Sequence, residues 1–193
     1  MCPSRNLSEN SKVAERIKYI TLLRGINVGG HHKVPMEELK KAIKELGYDN
    51  CITLLNSGNV IFDATNPSEE NIEQLLAEHL EKTFGFPIPV LVRNSENFEE
   101  IVENNPFGKV EVTKDTRLYL TFLKNSPSLS IDLPWISEDQ SFKILEIRNR
   151  TIYSTLDLSV TKTPKGMEVL EKMFGKEVTT RNLNTMIRLK NKL

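Results

Sequence analysis

The sequence predicts an α+β protein whose N-terminal half is a βαββαβ unit, followed by a second, smaller α+β half. Three observations predict it. Apolar runs with strand character alternate with stretches of helical period between residues 17 and 94. A polar turn, Asn56-Ser57-Gly58-Asn59, separates two of the strand runs without room for a helix. Both helical stretches of that half open on a proline or capping residue and close on a glycine.

Taken in order, residues 1–16 are polar and aperiodic and read as a flexible extension with a helical turn near Ala14. Lys18–Arg24 is a first strand, nearly continuous in apolar residues, as a central strand should be. Pro35 suits the first turn of a helix, because it has no N–H to leave unpaired. Met36, Leu39, Ile43 and Leu46 form that helix's apolar face, and Gly47 stops it. Asn50–Leu55 and Val60–Asp63 then form a hairpin. Asn66, Pro67 and Glu69 compose a helix start with a capping box, and Ile72, Leu75, Leu76, Leu80 and Phe84 supply its buried stripe. His79 shares that stripe and reads as a packed histidine at the core edge. Gly85 ends the helix, and Ile88–Arg93 is a fourth strand whose flanking prolines suit a sheet edge.

This order is the ferredoxin-like one. It places the third strand between the first two, so the loop after strand one and the turn after strand two emerge at the same end of the sheet. The domain so defined covers 17–94, and the second covers 95–193. That second half reads as a short helix capped by Ser95, a strand over Thr116–Lys124, a Ser/Pro-rich connection, and a hairpin around Asn149-Arg150. A helix from Thr163-Pro164 and a last helix capped by Thr179 or Thr180 complete it. No internal sequence repeat is evident.

Composition narrows the function classes. The 26 basic and 26 acidic residues cancel, so the chain lacks the overall basic footprint of a duplex-DNA binder. No apolar run approaches the roughly 18 residues of a membrane span, and the first residues lack a signal-peptide core. Cys2 and Cys51 have no metal or redox spacing and read as free thiols of a reducing cytoplasm. No metal site is expected from three histidines and two cysteines.

The candidate site is the stretch from Arg24 to Pro35. Gly25, Gly29 and Gly30 permit positive φ and close approach of backbone to a ligand. The helix after Pro35 offers free N–H groups, while Arg24, Asn27 and Lys33 add charge and polarity. The loop is neither a Walker loop nor a dinucleotide fingerprint. The topology brings Ser57 and Asn59 to the same sheet end. Thr179, Thr180, Arg181 and Asn182 read as a second helix N-terminus, which would add a second arginine if the halves pack with that end facing the loop. The plainer reading of every one of these residues is turn formation, capping or a solvated charge. His31 and His32 could move protons near neutral pH, but no catalytic triad is legible.

Three stretches resemble a family of bacterial proteins, the domain of unknown function family 1697 (DUF1697). They are Leu22-Leu23-Arg24-Gly25-Ile26-Asn27-Val28-Gly29-Gly30 with Lys33 and Met36, then Ser57-Gly58-Asn59-Val60-Ile61-Phe62, then Val178-Thr179-Thr180-Arg181-Asn182 with Asn184-Thr185. Leu183 stands where the family pattern has tryptophan, so no aromatic role carries over there. The resemblance implies a two-part α+β fold and no reaction, cofactor or substrate. The sequence therefore points to an anionic ligand, a phosphate- or carboxylate-bearing small molecule or nucleotide. Single-stranded RNA binding is the second reading, weakened because Tyr19 and Phe62 are the only aromatics on the relevant strands. A protein-interaction module is the third. The sequence names no cofactor and no oligomeric state.

Overall fold

The computed structural model describes residues 16–65 and 68–193. Two antiparallel sheets and five α-helices form alternating layers. The first sheet contains β1 (Arg16–Leu23), β2 (Asp49–Leu54), β3 (Asn59–Thr65) and β4 (Val90–Asn94), in the order β2-β3-β1-β4. β1 is central, and every residue from Tyr19 to Leu23 is buried. Helices α1 (Met36–Glu45) and α2 (Glu69–Phe84) cover one face. There Leu39, Ala42 and Ile43 of α1 and Ile72, Leu76 and Leu80 of α2 pack on Tyr19, Phe62 and Val92.

The other face meets α3 (Ser95–Glu103) and α5 (Leu183–Lys190). These two helices lie between the sheets and share a core with both: Ile20, Ile61 and Leu91 on one side, Leu120, Phe122 and Tyr153 on the other. The second sheet contains β5 (Thr116–Leu123), β6 (Trp135–Ile136), β7 (Phe142–Arg148), β8 (Thr151–Asp157) and β9 (Val178–Asn182), in the order β6-β7-β8-β5-β9. Helix α4 (Thr163–Phe174) covers its outer face through Leu170.

The second sheet repeats the first. Without β6, its order β7-β8-β5-β9 is that of β2-β3-β1-β4, with α4 in the place of α2 and α5 in the place of α3. The registers agree residue for residue. Leu23 faces Val90 and Tyr19 faces Asn94 in one sheet, as Leu123 faces Val178 and Tyr119 faces Asn182 in the other. The sequence carries the same trace, with Tyr-x-Thr-x-Leu in β1 and β5 and Val-x-x-Arg-Asn in β4 and β9. The internal repeat missed in the sequence is thus present in the topology. Among the described elements of the first half, α1 alone has no counterpart in the second, where the connection that carries β6 takes its place.

Several helix starts differ from expectation. Ser68 caps α2 by accepting from Asn71 N–H, while the expected cap Asn66 and first-turn Pro67 lie outside the described residues. Asn94 rather than Ser95 caps α3, and Asn182 rather than Thr179 or Thr180 caps α5. In both cases the strand runs directly into the helix, and the asparagine at the junction reaches forward to the first free amides. His79 is packed as expected, its Nε2 3.3 Å from Glu45.

Candidate functional site

The glycine loop is a folded structure organised by one side chain. Asn27, in the left-handed region at φ +56°, accepts from Val34 N–H (2.8 Å) and donates to Val34 C=O (3.0 Å) and Asn56 C=O (2.8 Å). It closes the loop on itself and ties it to the β2–β3 turn. Gly25, Gly29 and Gly30 also have positive φ, and the segment from Asn27 to Lys33 is exposed. His32 stacks on Phe86 at 4.4 Å between centroids, whereas Lys33 stands in solvent. Pro35 precedes α1 with no side-chain cap, but Glu37 and Glu38 in the first turn already offset the helix dipole.

Arg24 leaves the loop and forms a salt bridge with Glu171 of α4, across the two halves. At the turn, Gly58 lies so close to Leu23 and Ile26 that a Cβ would come within 2.6 Å and 2.8 Å of them. Asn59, fully buried, donates to Leu54 C=O and to Ser57 Oγ, both at 2.9 Å. Its Oδ1 accepts from Arg181 Nε at 2.7 Å.

Arg181 therefore does reach the end of the first sheet. Its Nη2 donates to Leu23 C=O (2.6 Å) and Ser57 C=O (2.9 Å), and its Nη1 donates to Thr180 C=O (3.0 Å). All four acceptors are neutral. Burial pulls its pKa down to about 10, so it keeps its charge at neutral pH. No carboxylate among the described residues pairs with it. The neighbouring residues are placed differently from expectation. Thr179 is buried in β9, and Thr180 shares a 2.8 Å hydrogen bond with Thr121. Both are strand residues because their pairing with β5 continues to Asn182. The structure brings together Ser57, Asn59 and Arg181 directly and ties Asn27 to the same turn through Asn56 C=O, with Arg24 turned toward α4.

The repeat exposes residues that sequence reasoning missed. Arg93 in β4 is the counterpart of Arg181, and it clamps the opposite end in the same way: Nη2 donates to Leu123 C=O (2.8 Å) and Nη1 to Val92 C=O (2.6 Å). Its electrostatics differ. Glu69 and Glu73 lie 3.8 Å from it, and Glu69 also holds Arg150 at 2.6 Å. Both glutamates are buried and accept from the open edge of β4, Glu73 from Val92 N–H (2.9 Å) and Glu69 from Asn94 N–H (2.8 Å). Burial raises the Glu73 pKa, opposed by the Val92 N–H and the Arg93 charge. The signal for Arg93 was the Val-x-x-Arg-Asn match between residues 90–94 and 178–182.

A tandem of two related antiparallel sheets with internal arginine clamps defines the class of protein. Residues 17–153 match the family described as protein of unknown function DUF1697, and the chain belongs to that family. Among solved structures it is similar to the conserved bacterial protein SP0830 from Streptococcus pneumoniae, at 25% identity and a TM-score of 0.66. That likeness covers 92% of this chain and 98% of the other. No curated protein matches the chain. Among the described residues no helix is long and apolar enough to cross a membrane.

Proposed function

We propose that the chain is a cytoplasmic protein that binds a small molecule bearing phosphate or carboxylate, at the sheet end formed by the glycine loop, the β2–β3 turn and Arg181. One observation carries this reading. Two equivalent arginines cap the two ends of the repeat, and only one has counter-charges. Arg93 is flanked by Glu69 and Glu73, whereas the four partners of Arg181 are neutral oxygens. A guanidinium removed from bulk water without a counter-ion is costly, and an anion from outside offsets that cost. Four of its five N–H donors are used in the hydrogen bonds above, which leaves one for a ligand. The free thiol of Cys51 accords with a reducing compartment.

The RNA reading gains no support from the packing. A ferredoxin-like sheet that stacks bases needs one face open, and here Tyr19 and Phe62 lie under α1 and α2 while Ile20 and Ile61 lie under α3 and α5. The test is thermal unfolding against nucleotides, sugar phosphates, organic acids and short RNAs, with Arg24→Ala and Lys33→Ala in parallel. A ligand at a hundred times its Kd adds about 2.7 kcal/mol of stability, or roughly 5–11 °C for a chain of this size. A shift with anions that weakens in both variants supports the reading. A shift with RNA alone, or none with any anion, refutes it.

A further inference from the structure

The ligand class at that site can be narrowed, on the reading just given, because the other end of the repeat shows what the arrangement holds. In the first half the open edge of β4 is closed by two carboxylates one helical turn apart, Glu73 on Val92 N–H and Glu69 on Asn94 N–H. The equivalent edge in the second half is β9. Leu123 N–H bonds to the C=O of Arg150, the residue before β8, so the odd-numbered residues of β5 turn toward β8. Thr180 and Asn182, which face Thr121 and Tyr119, therefore turn their N–H groups out from the sheet edge.

Among the described residues no side chain takes the place of the glutamates there. Helices α2 and α4 both end in Phe-Gly, at Phe84-Gly85 and Phe174-Gly175, but α2 has 16 residues and α4 has 12. Counting back equally from the phenylalanine, Glu73 corresponds to Thr163 and Glu69 to Ser159, which lies before α4 begins. The missing helical turn is the one that carries Glu69, and threonine stands in α4 where α2 has Glu73. Thr163 is engaged with Tyr119 instead. The positive charge is nonetheless retained, in Arg181 with its neutral partners and in Arg24 on the single carboxylate of Glu171.

We infer that the free edge of β9 binds a dicarboxylate, one carboxylate on Thr180 N–H and the other on Asn182 N–H, beside Arg181. The ligand supplies from outside the two groups that Glu73 and Glu69 supply at β4. Amides two residues apart on a strand set the carboxylates roughly 6–7 Å apart, the reach of glutarate or adipate in extended form.

The experiment uses the full chain with acetate, glutarate, adipate and inorganic phosphate, read by thermal unfolding and by the amide resonances of Thr180 and Asn182. A second variant, Thr163→Glu, returns the acid found at the equivalent place in α2. The expected result is dicarboxylate binding about tenfold or more tighter than acetate, from the second group acting at high effective concentration. Both amides should shift, and the response should be lost in Thr163→Glu. A response to phosphate with dicarboxylates no better than acetate overturns the inference and leaves the anion reading standing. No response to any anion overturns both. A dicarboxylate response that leaves the two amides unmoved and persists in Thr163→Glu also overturns the inference, by placing the ligand elsewhere.

Discussion

Replacing each clamp arginine with methionine should reveal their different electrostatics. In Arg93→Met, Glu69 and Glu73 keep their burial, at 9% and 5% exposure, and lose a cation. Breaking a buried pair costs roughly 3–5 kcal/mol. Arg150 still holds Glu69, and the Arg93 ion pairs are at 3.8 Å rather than hydrogen-bond distance, so the lower part of that range applies. In Arg181→Met no carboxylate is stranded. The loss is that of hydrogen bonds to Leu23, Ser57 and Asn59, partly offset by removal of an unpaired charge, or about 1–2 kcal/mol net. Urea unfolding should separate the two midpoints by about 1 M at a slope near 2 kcal/mol per M. The separation should also depend on pH. Burial already raises the Glu73 pKa, and removal of Arg93 raises it further. A carboxyl with a raised folded-state pKa binds protons more tightly in the native state, so stability falls as pH rises from the unfolded value near 4.3 through the folded one. The Arg93→Met penalty should therefore be smallest near pH 4–5 and grow toward neutrality, while that of Arg181→Met stays level with wild type. Equal losses, or a separation independent of pH, would refute the assignment of counter-charges.

Gly58→Ala should cost about 2–4 kcal/mol, from a left-handed φ and overpacking against Leu23 and Ile26. Gly30→Ala, with open space around it, should cost only about 1–2 kcal/mol; denaturant titration of the pair checks the close approach at the turn. Asn27→Ala should speed hydrogen exchange at Val34 N–H, which loses its acceptor, and unchanged exchange there would mean that the loop is held otherwise. Tyr153→Phe removes the bond from Tyr153 Oη to Ile101 C=O between β8 and α3, and should cost about 1 kcal/mol in the same titration.

The elements of the fold were legible because their signals are local. The alternation over Thr116–Lys124, the proline before α1 and the glycines after α1, α2 and α4 each act within a few residues. The hairpin at Asn149-Arg150 was legible too, and both residues have the positive φ of a tight two-residue turn. The α5 boundary was misread because Thr-Thr-Arg-Asn offers a capping residue at three of its four positions. Only pairing with β5, a long-range fact, shows that the strand continues to the last of them. The partners of Arg181 were illegible for the same reason: Leu23 and Ser57 offer backbone carbonyls, which no side-chain pattern advertises. The glycine loop drew attention by composition, yet its organising residue, Asn27, spends its side chain on Val34 and Asn56.

The repeat makes the two sheet ends controls for one another. The same register, arginine and cap asparagine occur at both, so any difference between them is not a requirement of the fold. At one end α2 runs a full turn longer and places two glutamates on the strand edge and beside the guanidinium. Those glutamates do what edge strands require, since they cover amides that would otherwise pair with another chain. At the other end the edge lacks that cover among the described residues, and the guanidinium's hydrogen-bond partners there are neutral carbonyl oxygens. Position 163, which corresponds to Glu73 of α2, holds a threonine, and no turn of α4 corresponds to the one that carries Glu69. The long glycine loop with its exposed tip stands at that end too, tied by Asn27 to the same turn that Arg181 holds. An uncovered edge, an unpaired charge and an ordered, solvent-facing loop converge on one place, and a ligand that brings its own negative charge accounts for all three.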